Sequence, residues 1–206
     1  MIVVRKTRSG RKPEGLPYYH DWRVACPGVR FSLLDVWEDS LVTDLYVGQT
    51  CWQDMNAWVL ASLAAQPVPE TGGFCLGRYN YRSGRYLVSI EQFLPARQPA
   101  YQSPDRLNFG ADIGGGIDDA LQSDAGLGIT AWFHTHPGHS PYLSGMDMRI
   151  HDGFFHAPYQ LAIVLDPLTP DWDTGIFSRR SDGRTNNREH ATSWISWQQL
   201  AEVSPI

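Results

Sequence analysis

The segment that most constrains the fold is an apolar run over residues 129–136, which ends in two histidines and is followed by Pro137. Its β-branched and aromatic residues favour a buried strand. Proline ends that strand, because the residue before it prefers extended backbone and proline itself has no ladder N–H. Residues i and i+2 of a strand point to the same side, so His134 and His136 present both imidazoles to one face. The fold must therefore leave room for two imidazoles on one face, at the end of a strand of the sheet.

A second segment follows the proline after a short loop. Ten residues separate His136 from Asp147, which is enough chain to turn back and bring a carboxylate to the same point. Ser144 and Asp147 also match a helix capping box, so a helix is predicted over residues 144–155. Two imidazoles and one carboxylate make three ligands, and three protein ligands with one open position are typical of catalytic zinc.

The rest of the chain reads as alternating strands and helices. A helix over residues 51–65 has apolar residues at helical spacing and ends before two prolines. A hairpin is predicted across residues 80–84, and a loop over residues 95–112. Further strands are predicted over residues 30–36, 45–47, 73–77, 85–94, 161–165 and 175–178, and further helices over residues 113–121 and 192–200. This order indicates a mixed α/β fold with one core sheet.

Composition narrows the class of protein. The 206 residues, 42% of them hydrophobic, suit one domain with a full core. A formal charge of -5 offers no electrostatic footprint for nucleic acid, and no stretch resembles a signal peptide or a membrane span. Neither a disulfide framework nor a Cys-rich zinc site is indicated, because no CxxC pair occurs. The prediction is a reduced, cytoplasmic protein. The three cysteines are Cys26, Cys51 and Cys75.

The two segments together resemble a known signature. Residues 132–147 are similar to the JAMM motif HxHPx6SxxD of MPN-plus proteins, and residues 70–77 are similar to the upstream ExxGxxLG element of that family. Residues 159–167 resemble the family's strand after the metal-binding aspartate. The similarity spans residues 41–180. The family includes catalytic subunits of the proteasome lid and the COP9 signalosome, and deconjugating peptidases from prokaryotes.

The resemblance implies a fold and a division of the chain. The fold would be an MPN/JAMM domain, similar to cytidine deaminases, with a mixed curved sheet flanked by helices. The catalytic domain would cover residues 41–185. Residues 1–40 would be an N-terminal extension of unknown role, and residues 186–206 a C-terminal tail with a short helix packed on the domain.

The resemblance also implies roles for five residues and a reaction. The ligands of one catalytic Zn²⁺ would be His134, His136 and Asp147. Glu70 would hydrogen-bond the attacking water, and Ser144 would donate to the carbonyl oxygen of the scissile bond. The reaction would be hydrolysis of the amide bond after the C-terminus of a ubiquitin-like protein, as in stand-alone prokaryotic members. E1- and E2-like proteins would be its functional partners.

Three alternatives stay open at this stage. The chain could be a non-catalytic MPN scaffold, although such proteins typically lose the metal ligands that this chain keeps. It could process the precursor of a sulfur-carrier protein, or resemble the RadC proteins, which share an HxHP segment. Substrate recognition is expected at a strand edge near residues 95–112. His151 is one helical turn after Asp147 and could support a metal ligand, but it is expected on the surface of the helix. His139 and Ser140 are expected in an exposed loop.

Overall fold

The computed structural model of the chain describes residues 28–32, 39–185 and 187. Its strands form a four-stranded sheet, a five-stranded sheet and a two-stranded ribbon, with three helices between them. The elements in chain order are β1 (Gly28–Ser32), β2 (Val42–Gly48), α1 (Gln49–Ser62), β3 (Gly72–Gly77), β4 (Tyr79–Arg82), β5 (Arg85–Ile90), β6 (Gln92–Pro95), β7 (Tyr101–Ser103), β8 (Arg106–Asn108), α2 (Asp112–Ser123), β9 (Gly128–Thr135), α3 (Gly145–Phe154), β10 (Leu161–Leu165) and β11 (Thr174–Phe177).

A long bent hairpin connects the two large sheets. Strands β4 and β5 pair in the four-stranded sheet, whose order is β1-β2-β5-β4, while β3 and β6 pair in the five-stranded sheet, whose order is β11-β10-β9-β3-β6. The chain changes sheets at Arg78 and Glu91, where the Glu91 N–H still donates to the Leu76 carbonyl at 2.7 Å. The Arg78 guanidinium bonds both Glu91 and Asp124 at this junction. The predicted hairpin is thus confirmed, with a tighter turn and a bend in each arm.

Two details of the predicted architecture are wrong. The strands divide between two large sheets instead of one core sheet, because the hairpin bends where its arms leave one sheet for the other. Residues 95–112 are not all loop, since β7 and β8 pair in register from Tyr101 opposite Asn108 to Ser103 opposite Arg106. These strands are three residues long, too short for a periodic pattern to reveal them. The mixed α/β class with flanking helices is confirmed.

The three predicted helices within the described residues are confirmed with small shifts at their ends. Helix α1 buries an apolar stripe against the core, and its buried residues are Cys51, Trp52, Met55 and Val59. Helix α2 forms in spite of three consecutive glycines, because Ile113 and Ala120 are buried. Tertiary packing here outweighs the roughly 1 kcal/mol per glycine that helix propensity costs.

The central strands of the five-stranded sheet carry most of the core. Strands β9 and β10 are buried along most of their length, and β10 is buried at every position. Cys51 and Cys75 are buried thiols, and the Cys51 thiol donates to the Met55 sulfur at 3.8 Å. Within the described residues, none of the helices combines the length and apolar character needed to cross a bilayer.

The predicted N-terminal extension and C-terminal tail lie mostly outside the described residues. In the N-terminal extension, β1 pairs antiparallel with β2, with Gly28 opposite Gly48 and Ser32 opposite Asp44. The predicted strand over residues 30–36 overlaps β1 in part, and its remainder lies outside the described residues. The predicted helix over residues 192–200 and Cys26 lie outside them too. The division at residues 40 and 185 stays a prediction.

Candidate metal centre

The two histidines lie at the end of the central strand of the five-stranded sheet. Strand β9 runs antiparallel to β3, with His134 opposite Gly72, and parallel to β10, with His134 opposite Val164. The ladder continues one step beyond β9, because the His136 N–H donates to the Leu165 carbonyl at 2.8 Å. Both side chains are buried, and their Nε2 atoms are 3.0 Å apart. The strand periodicity therefore brings both imidazoles to one point, as predicted.

The carboxylate of Asp147 reaches the same point from the first turn of α3. Ser144 is the N-cap of this helix, and its Oγ accepts the Asp147 N–H at 3.2 Å. In return, Asp147 Oδ2 accepts the Ser144 N–H at 2.7 Å, which completes the predicted capping box. Asp147 Oδ1 lies 3.5 Å from His134 Nε2, and Oδ2 lies 3.5 Å from His136 Nε2.

Glu70 approaches the histidines from the neighbouring strand. Gly72 pairs with His134 across two antiparallel strands, so the residue two positions before Gly72 falls beside the residue two positions after His134. The Oε1 atom of Glu70 accordingly lies 3.6 Å from His136 Nε2. A side chain at Gly72 would collide with this arrangement, because its Cβ would lie 2.1 Å from the Phe133 carbonyl oxygen.

The ribbon formed by β7 and β8 holds the backbone of Glu70. The Glu70 N–H donates to the Ser103 carbonyl at 2.8 Å, and the Gln102 side-chain amide donates to the Glu70 carbonyl at 2.8 Å. The Leu107 backbone adds a hydrogen bond to the Glu70 side chain. Glu70 is 6% exposed as a result. The segment predicted as loop therefore fixes a residue of the site.

The charges of the site depend on burial and on one another. Burial, together with the negative charges of Asp147 and Asp105, raises the pKa of Glu70 to about 8. Burial lowers the pKa of His134, so this imidazole is neutral, the form that binds a metal. Burial also opposes ionisation of Asp147, but contacts with His134, His136 and Ser144 outweigh it and lower the pKa of that carboxyl. The site is therefore a cluster of buried acceptors that favours a cation.

The spacing of the donors fits a small divalent ion. Within the described part of the chain, His134, His136 and Asp147 are the one group of three ligating side chains whose donor atoms all lie within 4.8 Å of one another. Bonds of about 2.0–2.1 Å to a tetrahedral zinc place neighbouring ligand atoms about 3.3 Å apart. The two Nε2 atoms are 3.0 Å apart, and each lies 3.5 Å from one carboxylate oxygen of Asp147, Oδ1 for His134 and Oδ2 for His136. These distances bracket that value. The nitrogen and oxygen donor set is also one that zinc accepts.

The loop between His136 and Ser144 depends on a residue that the sequence did not single out. Asp166, buried at the end of β10, accepts the Gly138 N–H at 2.8 Å and the Ser140 N–H at 3.0 Å. It also accepts a third N–H, from Leu168, at 3.0 Å. The signal for it was an acidic residue directly after an apolar strand, within the stretch that resembles the family. Asp166 thus fixes the path of the chain between His136 and Asp147.

The predicted exposure is confirmed for two further residues and wrong for a third. His139 and Ser140 are exposed in the loop, as expected. His151 is not on the helix surface, because it is 0% exposed and its Nδ1 accepts the Trp132 indole N–H at 3.1 Å. Ser144 lies at the N-cap, beside Asp147. Its hydroxyl accepts one hydrogen bond there and keeps a proton that it can donate.

Comparison with known proteins gives one short match in sequence. A stretch of 55 residues is 42% identical to COP9 signalosome complex subunit 5 of Saccharomyces cerevisiae, in two strains of that organism. The match covers 26% of this chain and 12% of the yeast protein. It supports a relationship to MPN-type proteins over that stretch. No protein-family model matches the chain.

Comparison with solved structures gives distant likenesses. The solution structure of a protein from Desulfitobacterium hafniense aligns with a TM-score of 0.49 and 20% identity, over 69% of this chain and 88% of that one. A protein from Salinibacter ruber aligns with a TM-score of 0.41 and 15% identity, over 70% of this chain and 88% of that one. At these values neither likeness informs on function.

Proposed function

We propose that the chain is a zinc-dependent peptidase of the JAMM type that hydrolyses the amide bond after the C-terminus of a ubiquitin-like protein. The observation that carries the proposal is the convergence of His134, His136 and Asp147, with the Glu70 carboxylate 3.6 Å from one of these ligands. Three ligands leave a coordination position for water or substrate, which a structural zinc site would not do. The short match to a COP9 signalosome subunit supports the same family.

In this proposal the five residues divide the work of amide hydrolysis. Zinc would polarise the substrate carbonyl and lower the pKa of the attacking water. Glu70 would take a proton from that water and pass it to the departing nitrogen, which leaves poorly as an unprotonated amine. The Ser144 hydroxyl would donate to the carbonyl oxygen as negative charge develops there, a contribution typically worth about 10²–10³ in rate.

Glu70 is suited to moving a proton because its environment holds the carboxyl away from its ordinary range. Burial and the negative charge of Asp147 raise its pKa in the metal-free protein. A divalent cation bound by Asp147 would offset that negative charge and return the pKa of Glu70 towards neutrality or below. A carboxyl whose pKa lies close to the working pH can both accept and release a proton.

The ribbon of β7 and β8 is proposed to recognise the substrate. Within the described residues, no further strand pairs with either strand of the ribbon, although the Ser103 carbonyl of β7 already accepts the Glu70 N–H. An extended C-terminal tail can add to a strand edge through backbone hydrogen bonds. Tyr101 is 51% exposed on the ribbon, with the Arg106 guanidinium 5.3 Å from its ring centroid. The same ribbon fixes Glu70, so a tail bound there would lie close to the site.

The scaffold alternative makes a different demand on the site. A partner-binding MPN protein needs no buried acidic residue beside the two imidazoles, yet Glu70 is buried there, and among its described contacts no lysine or arginine offsets its charge. This cost in desolvation favours an enzyme. The bond type, the modifier and the participation of E1- and E2-like partners remain parts of the proposal. Processing of a sulfur-carrier precursor would use the same chemistry.

The direct test is hydrolysis of candidate ubiquitin-like fusions. Purified protein would be loaded with zinc and incubated with linear fusions and with lysine-linked conjugates of several ubiquitin-like proteins. We expect release of the modifier, its loss on chelation and its return on addition of zinc. Release that continued unchanged in excess chelator would contradict the metal-dependent mechanism. Stoichiometric zinc without cleavage of any fusion would favour the scaffold.

A further inference from the structure

The two histidines of the proposed metal site lack the hydrogen bond that usually orients a ligating imidazole. A histidine that ligates a metal through one nitrogen commonly donates its other N–H to a carboxylate, a carbonyl or a water. Here the Nε2 atoms of His134 and His136 face the site, and their Nδ1 atoms are buried without a hydrogen-bond partner among the described residues. The plane of each ring must therefore be set by contacts of another kind.

For His134 that contact is a stacked indole. The Trp132 and His134 rings are 4.6 Å apart between centroids and only 6° from parallel. Both residues lie on the same face of β9, since they are two positions apart on one strand. Phe155 stacks with the Trp132 ring at 5.5 Å and 15°. With 1% of its surface exposed, the indole has little room to tilt.

The indole is in turn fixed by His151. The Trp132 N–H donates to His151 Nδ1 at 3.1 Å. An indole N–H can only donate, so His151 Nδ1 must carry a lone pair and the imidazole must be the neutral form protonated at Nε2. His151 has no other described hydrogen bond from its ring, since its Nε2 is buried without a partner. The bond to Trp132 is thus the one polar contact of this buried ring within the described chain.

Helix α3 joins this pair to the metal ligands. His151 follows Asp147 by one helical turn, so the two side chains project from the same face of the helix. The backbone carbonyl of His151 accepts the Arg179 guanidinium at 3.3 Å, which ties the end of the helix to the sheet. One helix therefore supplies one metal ligand directly and controls the orientation of another through Trp132.

We infer that Trp132 and His151 are a positioning pair, in which the hydrogen bond from the indole to His151 sets the ring plane of the metal ligand His134. The inference rests on the proposed metal site. Neither residue is one of the proposed ligands. Their effect is on how well His134 is oriented before the metal arrives. Removing the hydrogen bond should then weaken metal binding while leaving the fold and the Asp147 cap in place.

The test compares variants that lose or keep the acceptor. His151→Leu fills similar space without an acceptor, while His151→Gln keeps a carbonyl oxygen for the indole N–H. Trp132→Phe removes the donor and keeps an aromatic ring, and it serves if His151→Leu fails to fold. His156→Leu is the matched control, because His156 is exposed just beyond the same helix. Each variant is first checked by thermal unfolding without metal.

Metal affinity and the visible spectrum of the cobalt-loaded protein are the readouts. We expect His151→Leu and Trp132→Phe to weaken zinc affinity by about 10- to 100-fold and to alter the cobalt ligand-field bands. We expect His151→Gln to restore most of the affinity and His156→Leu to match wild type. Equal affinity and equal spectra for wild type and both loss variants would overturn the positioning role alone. If the wild-type protein bound neither zinc nor cobalt, the metal site itself would fail, and this inference with it.

Discussion

The candidate metal ligands and the ribbon that holds Glu70 differ in how their geometry is built. The ligands come from residues 134–147, where a strand period, a short loop and a capping box place the donor atoms. The position of Glu70 depends on partners 32 or more residues away, on β7, β8 and β9. The positions of the candidate ligands follow from the backbone geometry of one strand, one loop and one helix. The position of Glu70 is set only when the strands have paired. Metal binding and proton transfer should therefore respond separately to mutation.

Among mutations that distinguish metal binding from proton transfer, removal of a candidate ligand should have the largest effect. His136→Ala should reduce zinc affinity by more than the 10- to 100-fold typical of residues that only support ligands, because it removes a donor atom outright. Zinc content would be measured by elemental analysis after dialysis. His139→Ala is the control, since His139 is exposed in the adjacent loop. Wild-type zinc content in His136→Ala would remove this residue from the site.

A mutation at Glu70 should affect proton transfer and leave metal binding intact. Glu70→Gln should keep zinc affinity and lower kcat by about 10²–10⁴, because coordination does not need this carboxylate while proton transfer does. Zinc titration and steady-state cleavage of a ubiquitin-like fusion would be measured on the same preparation. Asp118→Asn, which neutralises an exposed carboxylate on α2, is the control. Turnover equal to wild type would exclude Glu70 from the mechanism.

A smaller effect is expected at the ribbon. Gln102→Ala removes the hydrogen bond from the side-chain amide to the Glu70 carbonyl. One such bond contributes about 0.5–1.5 kcal/mol, so kcat should fall by about 2- to 10-fold with zinc affinity unchanged. Gln122→Ala on the exposed face of α2 is the matched control. A parallel fall in zinc affinity would show that the ribbon and the ligands are not independent.

Glu70 should also affect the stability of the metal-free protein. The pKa of Glu70 is raised to about 8 from an ordinary 4.5, so the folded state holds this proton more tightly than the unfolded chain. Its contribution to stability is full at low pH and is lost as the pH rises through 8. Between pH 7 and pH 9 we expect a loss of about 1–2 kcal/mol relative to Glu70→Gln. Melting curves of both proteins in excess chelator would show it, and identical pH profiles would contradict it.

Much of the site was predictable from the sequence because its signals are short-range. The spacing of His134 and His136, the ten-residue return to Asp147 and the capping box at Ser144 each follow from geometry within one strand, loop or helix. Helix α3 and strand β10 appear where their patterns predicted them. Glu70 was found through its resemblance to a family motif, since no local rule indicates where a lone glutamate lies.

The errors fall where contacts distant in the chain decide the outcome. His151 was expected on a helix surface, yet α3 packs so that this ring meets Trp132 from another element. The strands β7 and β8 are too short to show alternation, and their backbone bonds to Glu70 anchor the ribbon. No local pattern indicates that Asp166 holds the loop, because the two N–H donors from the loop lie 26 and 28 residues before it in the chain.

By itself the sequence determined which residues could bind a metal and which faces of their strand and helix they occupy, because side-chain direction follows from local backbone period. The tertiary structure decided which residues surround those ligands. It placed Glu70 beside His136 through strand register, stacked Trp132 on His134 and buried His151 behind it. Register and packing depend on contacts between residues distant in the chain, and no local pattern in the sequence encodes them.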